Sequence, residues 1–232
     1  MKKGKCCDLG SCLMCTLVLK DWKLAIDGHR KNFIAKKGEK IIKEGDPVVG
    51  VYFVYKGNVK VHKHWGDKEL ILRFANSGKI FGHRGLGTHS SVYPISATAL
   101  EETSLCFIEL DFFMSTLKVN HDFAFNLMFF YADELQESEK KMRNLALMSV
   151  KSRLAVALLQ LKEQFGLNET GNLNLELSKQ DLAAYTGATY ETVFRMTTEL
   201  VNEKILSLSG KQINILNEER LRLLTQNSAF NS

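Results

Sequence analysis

"LSKQDLAAYTGATYETVFRMTTELVNEKILSLSGKQINI", residues 177–215, is the stretch from which the fold is read outward. Ser178 followed three positions later by Asp181 is a capping-box pattern that starts a helix, and Gly187 interrupts it. Thr189 can cap a second helix. That helix places Tyr190, Glu191, Phe194 and Arg195 on one side of its first turns. A short helix, a tight glycine turn and a second helix with exposed polar residues at its start describe a helix-turn-helix. "ILSLSGKQINILN" then reads as a hairpin turning at Ser-Gly-Lys, which would be a wing. On the N-terminal side, "VKSRLAVALLQLKEQFG" is a strong helix former that stops at Gly166.

Further upstream, a long helix is expected from about Asn120 to Met148. Met128, Tyr131, Leu135, Ser138, Met142 and Leu145 recur at alternating spacings of three and four, the seam of a coiled coil. "DELQESEKK" supplies its charged outer face. The seam residues proper would be Met128, Tyr131, Leu135, Met142 and Leu145. The plainer reading is an amphipathic helix packed on its own domain.

Residues 33–109 read as strands. "GVYFVYKGNVKVHKH" alternates around a turn at Gly57–Asn58, and "ELILRFANSGKIFG" and "ISATALEETSLCFIEL" continue the pattern between glycine turns. Evenly spaced short strands suggest a barrel or jelly roll. The chain of 232 residues is 45% hydrophobic and 25% charged, with 31 basic against 26 acidic residues and a formal net charge of +5. That balance permits a nucleic-acid partner without demanding one. Neither "LMCTLVL" nor "FAFNLMFFYA" is long enough to span a bilayer, so a cytoplasmic protein without a membrane partner is expected. The sequence lacks a Gly-Lys-Ser/Thr phosphate loop, a nucleophile elbow and a His-Glu-x-x-His motif, so no enzyme reading competes.

The second helix carries the chemistry of base reading. Arg195 has a planar fork suited to the O6 and N7 acceptors of guanine, and Glu191 can accept from the N4 amine of cytosine. Tyr190, Phe194, Ser178, Lys179 and Thr189 complete the expected DNA-facing set. Lys179 and Lys211 are suited to phosphate only. The alternative is an ordinary surface Glu–Arg pair at i, i+4.

"KCCDLGSCLMC", residues 5–15, holds four of the five cysteines, and Cys106 lies far off in "ETSLCFIEL". In a reducing compartment such a cluster reads more readily as metal ligands or a redox centre than as disulfides. His62, His64 and His83 are too scattered to nominate as ligands.

The order of β-rich half, long helix and winged helix-turn-helix resembles the Crp/Fnr family of bacterial regulators. "GATYETVFR" is similar to that family's Gly-x-[Ser/Thr]-x-Glu-Thr-[Val/Ile]-x-Arg core, and "GHRGLG" falls where its β-roll glycines lie. The resemblance runs from about Trp22 to Leu224. It implies an α+β chain: a cysteine arm (1–20), a cyclic-nucleotide-binding-like β-roll or jelly roll (21–118), a dimerisation helix (119–148) and a DNA-binding winged helix-turn-helix (149–232). It also implies a homodimer on a near-palindromic operator, with RNA polymerase as a further partner. His83 stands where a ribose-binding glutamate is expected and Ile95 where a phosphate-binding arginine is expected, so control by cyclic AMP is not expected.

The Fnr branch carries an oxygen-labile iron–sulfur cluster on N-terminal cysteines plus one in the β-roll. By that resemblance Cys7, Cys12, Cys15 and Cys106 would be its ligands, with Cys6 as the alternative to Cys7. The run Cys7-x4-Cys12-x2-Cys15 departs from that branch, where the tight pair comes first. A [4Fe–4S] cluster is favoured and [2Fe–2S] is compatible with the spacing. Zinc, a thiol switch, or cysteine as buried filler beside a different small-molecule effector are the alternatives.

Overall fold

Short runs of buried β-branched and aromatic residues, broken by glycines at positive φ, build the first of two compact units, Met1–Leu135 and Gln136–Ser232. The computed structural model describes residues 2–3, 8–87 and 91–226; Cys6 and Cys7 lie outside them. The N-terminal unit begins with β1 (Lys2–Lys3), α1 (Leu13–Leu17) and α2 (Trp22–His29). The strands β2 (Arg30–Ala35), β3 (Lys40–Ile42), β4 (Gly50–Lys56), β5 (Val59–Trp65), β6 (Lys68–Ala75), β7 (Ile80–Phe81), β8 (Ser96–Ala99) and β9 (Thr103–Glu109) follow.

They form two antiparallel sheets, ordered β1-β2-β9-β4-β7 and β3-β8-β5-β6. The turn at Gly57–Asn58 is therefore a crossover: β4 pairs with β7 and β9, whereas β5 pairs with β6 and β8. Gly57 is needed there. Its φ is +98°, and an added Cβ would sit 2.7 Å from the Thr103 hydroxyl. Side chains from both sheets, among them Val54, Val59, Phe81, Ile95, Leu105 and Phe107, make one apolar core. A second cluster joins β4 and β9 to α1, α2 and the helices after β9.

Those helices are α3 (Leu110–Val119) and α4 (His121–Leu147), the latter within a residue of the expected long helix at each end. Asn120 breaks the chain between them. Its amide donates to the Thr116 carbonyl at 2.9 Å and its oxygen accepts from the Leu19 N–H at 2.8 Å. Phe123 and Leu127 turn into the core, while Phe125, Met128, Phe129, Leu135 and Met142 are exposed. Tyr131, of the expected seam, donates its hydroxyl to the His83 carbonyl at 2.7 Å and is half-buried against its own domain. Residues 128 and 135 are seven apart and share a face; 131 is rotated toward Glu134 and inward.

The second unit holds α5 (Val150–Phe165), α6 (Lys179–Thr186), α7 (Tyr190–Asn202), the hairpin β10 (Leu206–Ser209) and β11 (Gln212–Ile215), and α8 (Glu218–Gln226). Leu154, Leu158, Leu161, Leu182, Val193, Leu200 and Leu221 are the large apolar side chains that its helices bury. Among the described residues no helix is long and apolar enough to cross a membrane.

Candidate functional site

The helix-turn-helix is held by the expected local chemistry. Ser178 Oγ accepts from the Asp181 N–H at 3.0 Å and donates to the Asp181 carboxylate at 2.5 Å. Its hydroxyl is thus committed to the cap rather than presented outward. Gly187 ends α6 in the left-handed conformation (φ 70°, ψ 43°), and Thr189 Oγ accepts from the Thr192 N–H at 3.3 Å to start α7. Val193, Thr197 and Leu200 bury the opposite side of α7.

What remains outward is a compact exposed face at the start of α7. Tyr190, Glu191, Phe194 and Arg195 are all exposed. The Tyr190 and Phe194 rings stack at 6.1 Å, and Lys179 Nζ lies 4.6 Å over the Phe194 ring. Among the described residues no ion pair joins Glu191 to Arg195, so the plain surface pair is not formed and both heads stay available. Lys211 is exposed beside Gly210 at the tip of the wing.

Sequence reasoning missed Arg153. Its Nη1 donates to the carbonyls of Leu145 (3.3 Å) and Met148 (3.0 Å), its Nε to Thr186 (3.1 Å) and its Nη2 to Gly187 (3.1 Å). One guanidinium thus gathers a carbonyl from the last turn of α4, the one just past its end and two from the turn of the helix-turn-helix. The available signal was an arginine in the first turn of an otherwise apolar stripe, "RLAVALLQL".

In the N-terminal unit the cysteine arm is docked on the β-roll. Asp8 Oδ1 accepts from the Gly10 and Ser11 N–H groups at 2.9 and 3.0 Å, and the Leu13 N–H donates to the Gly78 carbonyl at 3.2 Å. Those bonds to Asp8, that from Gly10 above all, hold its carboxyl below the usual carboxylate range. Cys12 caps α1, its Sγ accepting from the Cys15 N–H at 3.4 Å. Cys12, Cys15 and Cys106 are 7%, 0% and 1% exposed and belong to one cluster.

Cys106 lies on β9, paired with Asn32 and Phe53. It shares with Cys12, Asp8, Ser11 and Phe53 the lining of a cavity of about 10 Å³. The arm thus brings two of its thiol residues to the distant one, and Cys6 and Cys7 fall outside the described residues. By donor type this set fits an iron–sulfur cluster or zinc; the cavity has the size of a single water.

His83 and Ile95, the positions where the resemblance would put a nucleotide's partners, are buried. Ile95 is core. His83 Nε2 lies 3.2 Å from Glu134 Oε2. Glu134, on α4, also receives Arg84 at 2.9 Å and Arg73 at 2.8 Å. Burial works against its charge, but the His83 bond and the two guanidiniums outweigh it and hold the carboxyl at about 2. Burial pushes His83 below its ordinary value. The histidines also correct the expectation of scatter: His62 and His64 lie together on β5, facing Glu69.

An antiparallel β-roll, a long helix and a winged helix-turn-helix whose second helix begins with exposed side chains define a DNA-binding regulator. Residues 34–120 match the family of cyclic nucleotide-binding domains, and residues 152–224 that of Crp-like helix-turn-helix domains. The structure of FixK2 from Bradyrhizobium japonicum is 30% identical with a TM-score of 0.74, covering 84% of this chain and 96% of that one. The transcriptional activator protein FnrA of Stutzerimonas stutzeri is 27% identical over 216 residues, 91% of this chain and 88% of that protein. The cAMP-activated global transcriptional regulator CRP of Salmonella typhimurium is 29% identical over 178 residues, 75% and 83% of the two chains. This chain belongs to the Crp/Fnr family of DNA-binding transcription regulators. Members of that family bind DNA and act as dimers.

Proposed function

We propose that this regulator is controlled by an oxygen- or redox-labile iron–sulfur cluster rather than by cyclic AMP. Cys12, Cys15, Cys106 and one of Cys6 or Cys7 would hold it. The observation that carries the reading is the burial of Cys12, Cys15 and Cys106 in one cluster although ninety residues separate the arm from the strand. When bound, such a cluster supplies an iron–thiolate centre that oxygen can dismantle. The chain's own residues do the rest: the cysteines tie the arm to the β-roll, against the cluster of buried residues that includes Phe123 and Leu127 of α4. Docking the arm would favour pairing of the exposed Phe125, Met128, Leu135 and Met142 with a second copy, and that pair would present two reading helices to a near-palindromic operator. RNA polymerase would be the downstream partner.

The test is anaerobic purification followed by iron, sulfide and zinc analysis and operator binding, on a matched set of Cys→Ser variants. Cys12→Ser and Cys106→Ser should each lose both iron and specific DNA binding, and only one of Cys6→Ser and Cys7→Ser should do so. Wild-type iron and operator affinity in Cys106→Ser would overturn the mechanism. The small cavity between Cys12 and Cys106 favours a second reading, a single zinc ion; zinc without sulfide in the purified protein would select it.

A further inference from the structure

The hairpin of β5 and β6 brings together three groups with no part in the cysteine site or the reading helix. His62 and His64 are two apart on one strand, so they share a face. Glu69 is the direct cross-strand partner of His64. Single ligand atoms of the three lie within 4.8 Å of one another. Two of the edges are shorter: His62 Nδ1 to Glu69 Oε2 is 3.1 Å and His64 Nε2 to the same oxygen is 3.4 Å. Tetrahedral zinc, with bonds of about 2.0–2.2 Å, places its donors about 3.4 Å apart.

The chemistry of His62 argues that the arrangement is more than surface polarity. His62 is 1% exposed. Its Nε2 lies 2.9 Å from the Thr98 hydroxyl, a bond that fixes the ring as an outer partner fixes a metal-bound imidazole. Its buried Nδ1 makes no hydrogen bond. In the tautomer that carries its proton on Nε2, toward Thr98, the Nδ1 lone pair lies beside a carboxylate oxygen 3.1 Å away. Two acceptors then face each other, and a shared cation relieves that contact. The other oxygen of Glu69 is held by Lys60 Nζ at 2.7 Å, which aims the carboxylate and leaves Oε2 for the histidines.

We propose that His62, His64 and Glu69 form a binding site for a divalent d-block cation of the zinc class. Imidazole and carboxylate are its donors, and a set of three leaves one coordination place for water or an outside group. An ion there ties β5 to β6 near the hairpin tip, where Trp65 is 88% exposed. The site is independent of the cysteine arm and of the nature of its cofactor.

The test is titration of the full-length protein with Co²⁺, read by visible ligand-field absorption and by the stoichiometry of tight binding. Ligation by imidazole and carboxylate gives no sulfur-to-cobalt charge transfer, which separates this site from the cysteines. His64→Ala, at an exposed position, and Glu69→Gln, at a half-buried one, should each lose this band and bind this Co²⁺ about tenfold or more weakly. Far-ultraviolet circular dichroism checks their folding, and each variant is read by itself, so a folding defect in one leaves the other as the test. Unchanged Co²⁺ affinity and absorption in a folded His64→Ala or Glu69→Gln would overturn the proposal.

Discussion

Glu134 and Arg195 are both charged residues on helices, yet their surroundings are opposite. Glu134 is packed among Arg73, Arg84 and His83, so its charge is consumed inside the β-roll unit. Arg195 is exposed, with no ion partner among the described residues. A charge whose partners are internal holds a fold together. A charge kept solvated has its full attraction left for an outside surface.

The strongest way to break this contrast is Glu134→Ala. Two half-buried guanidiniums would lose their counter-charge, and the N-terminal unit should be destabilised by about 3–5 kcal/mol. Urea unfolding followed by Trp22 fluorescence reads the loss. A change below about 1 kcal/mol would place Glu134 among the surface ion pairs instead.

Acid should act on the same cluster. The carboxyl of Glu134 sits at about 2 against an ordinary 4.5, so its contribution is fully present above 4.5 and is lost as pH falls through about 2. The shift corresponds to about 3 kcal/mol. His83, kept below its ordinary 6.5, adds a loss of the same sign below that pH, because the unfolded chain takes up a proton that the folded one refuses. Urea midpoints from pH 7 down to 3 should therefore fall steadily; a flat profile would contradict the charge assignment.

Arg195→Ala sharpens the other side. Stability should stay within about 0.5 kcal/mol, while discrimination at one guanine per half-site should drop by about 1–3 kcal/mol. Equal weakening on operator and random DNA would show that Arg195 touches phosphate only. The smallest effect is expected from Lys211→Ala at the wing tip, which should weaken all sequences alike and lower the salt slope of binding by about 1.

The helix-turn-helix was legible in the sequence because its signals are local. Ser178, Gly187 and Thr189 act within four residues of themselves, and the observed caps use the atoms expected. The helix from His121 to Leu147 was legible from its period, but its inward and outward faces were not. Tyr131 turns inward because of a carbonyl at His83, 48 residues away, which no window along the chain contains. The same limit hid the crossover at Gly57, the hub at Glu134 and the pairing of His64 with Glu69: all depend on which strand lies beside which. The cysteines fall between these cases. Their count suggested a centre, and only the fold brings Cys106 to the arm.

The four carbonyls held by Arg153 set a mechanical limit on how any signal reaches DNA. Leu145 lies in the last turn of the long helix and Met148 just past its end, Thr186 and Gly187 form the elbow ahead of α7, and one rigid planar group spans them. A twist at the end of the long helix must then either drag the elbow with it or tear several charge-assisted bonds at once. The joint behaves as a rivet rather than a ball-and-socket: torque passes through it, and slack does not.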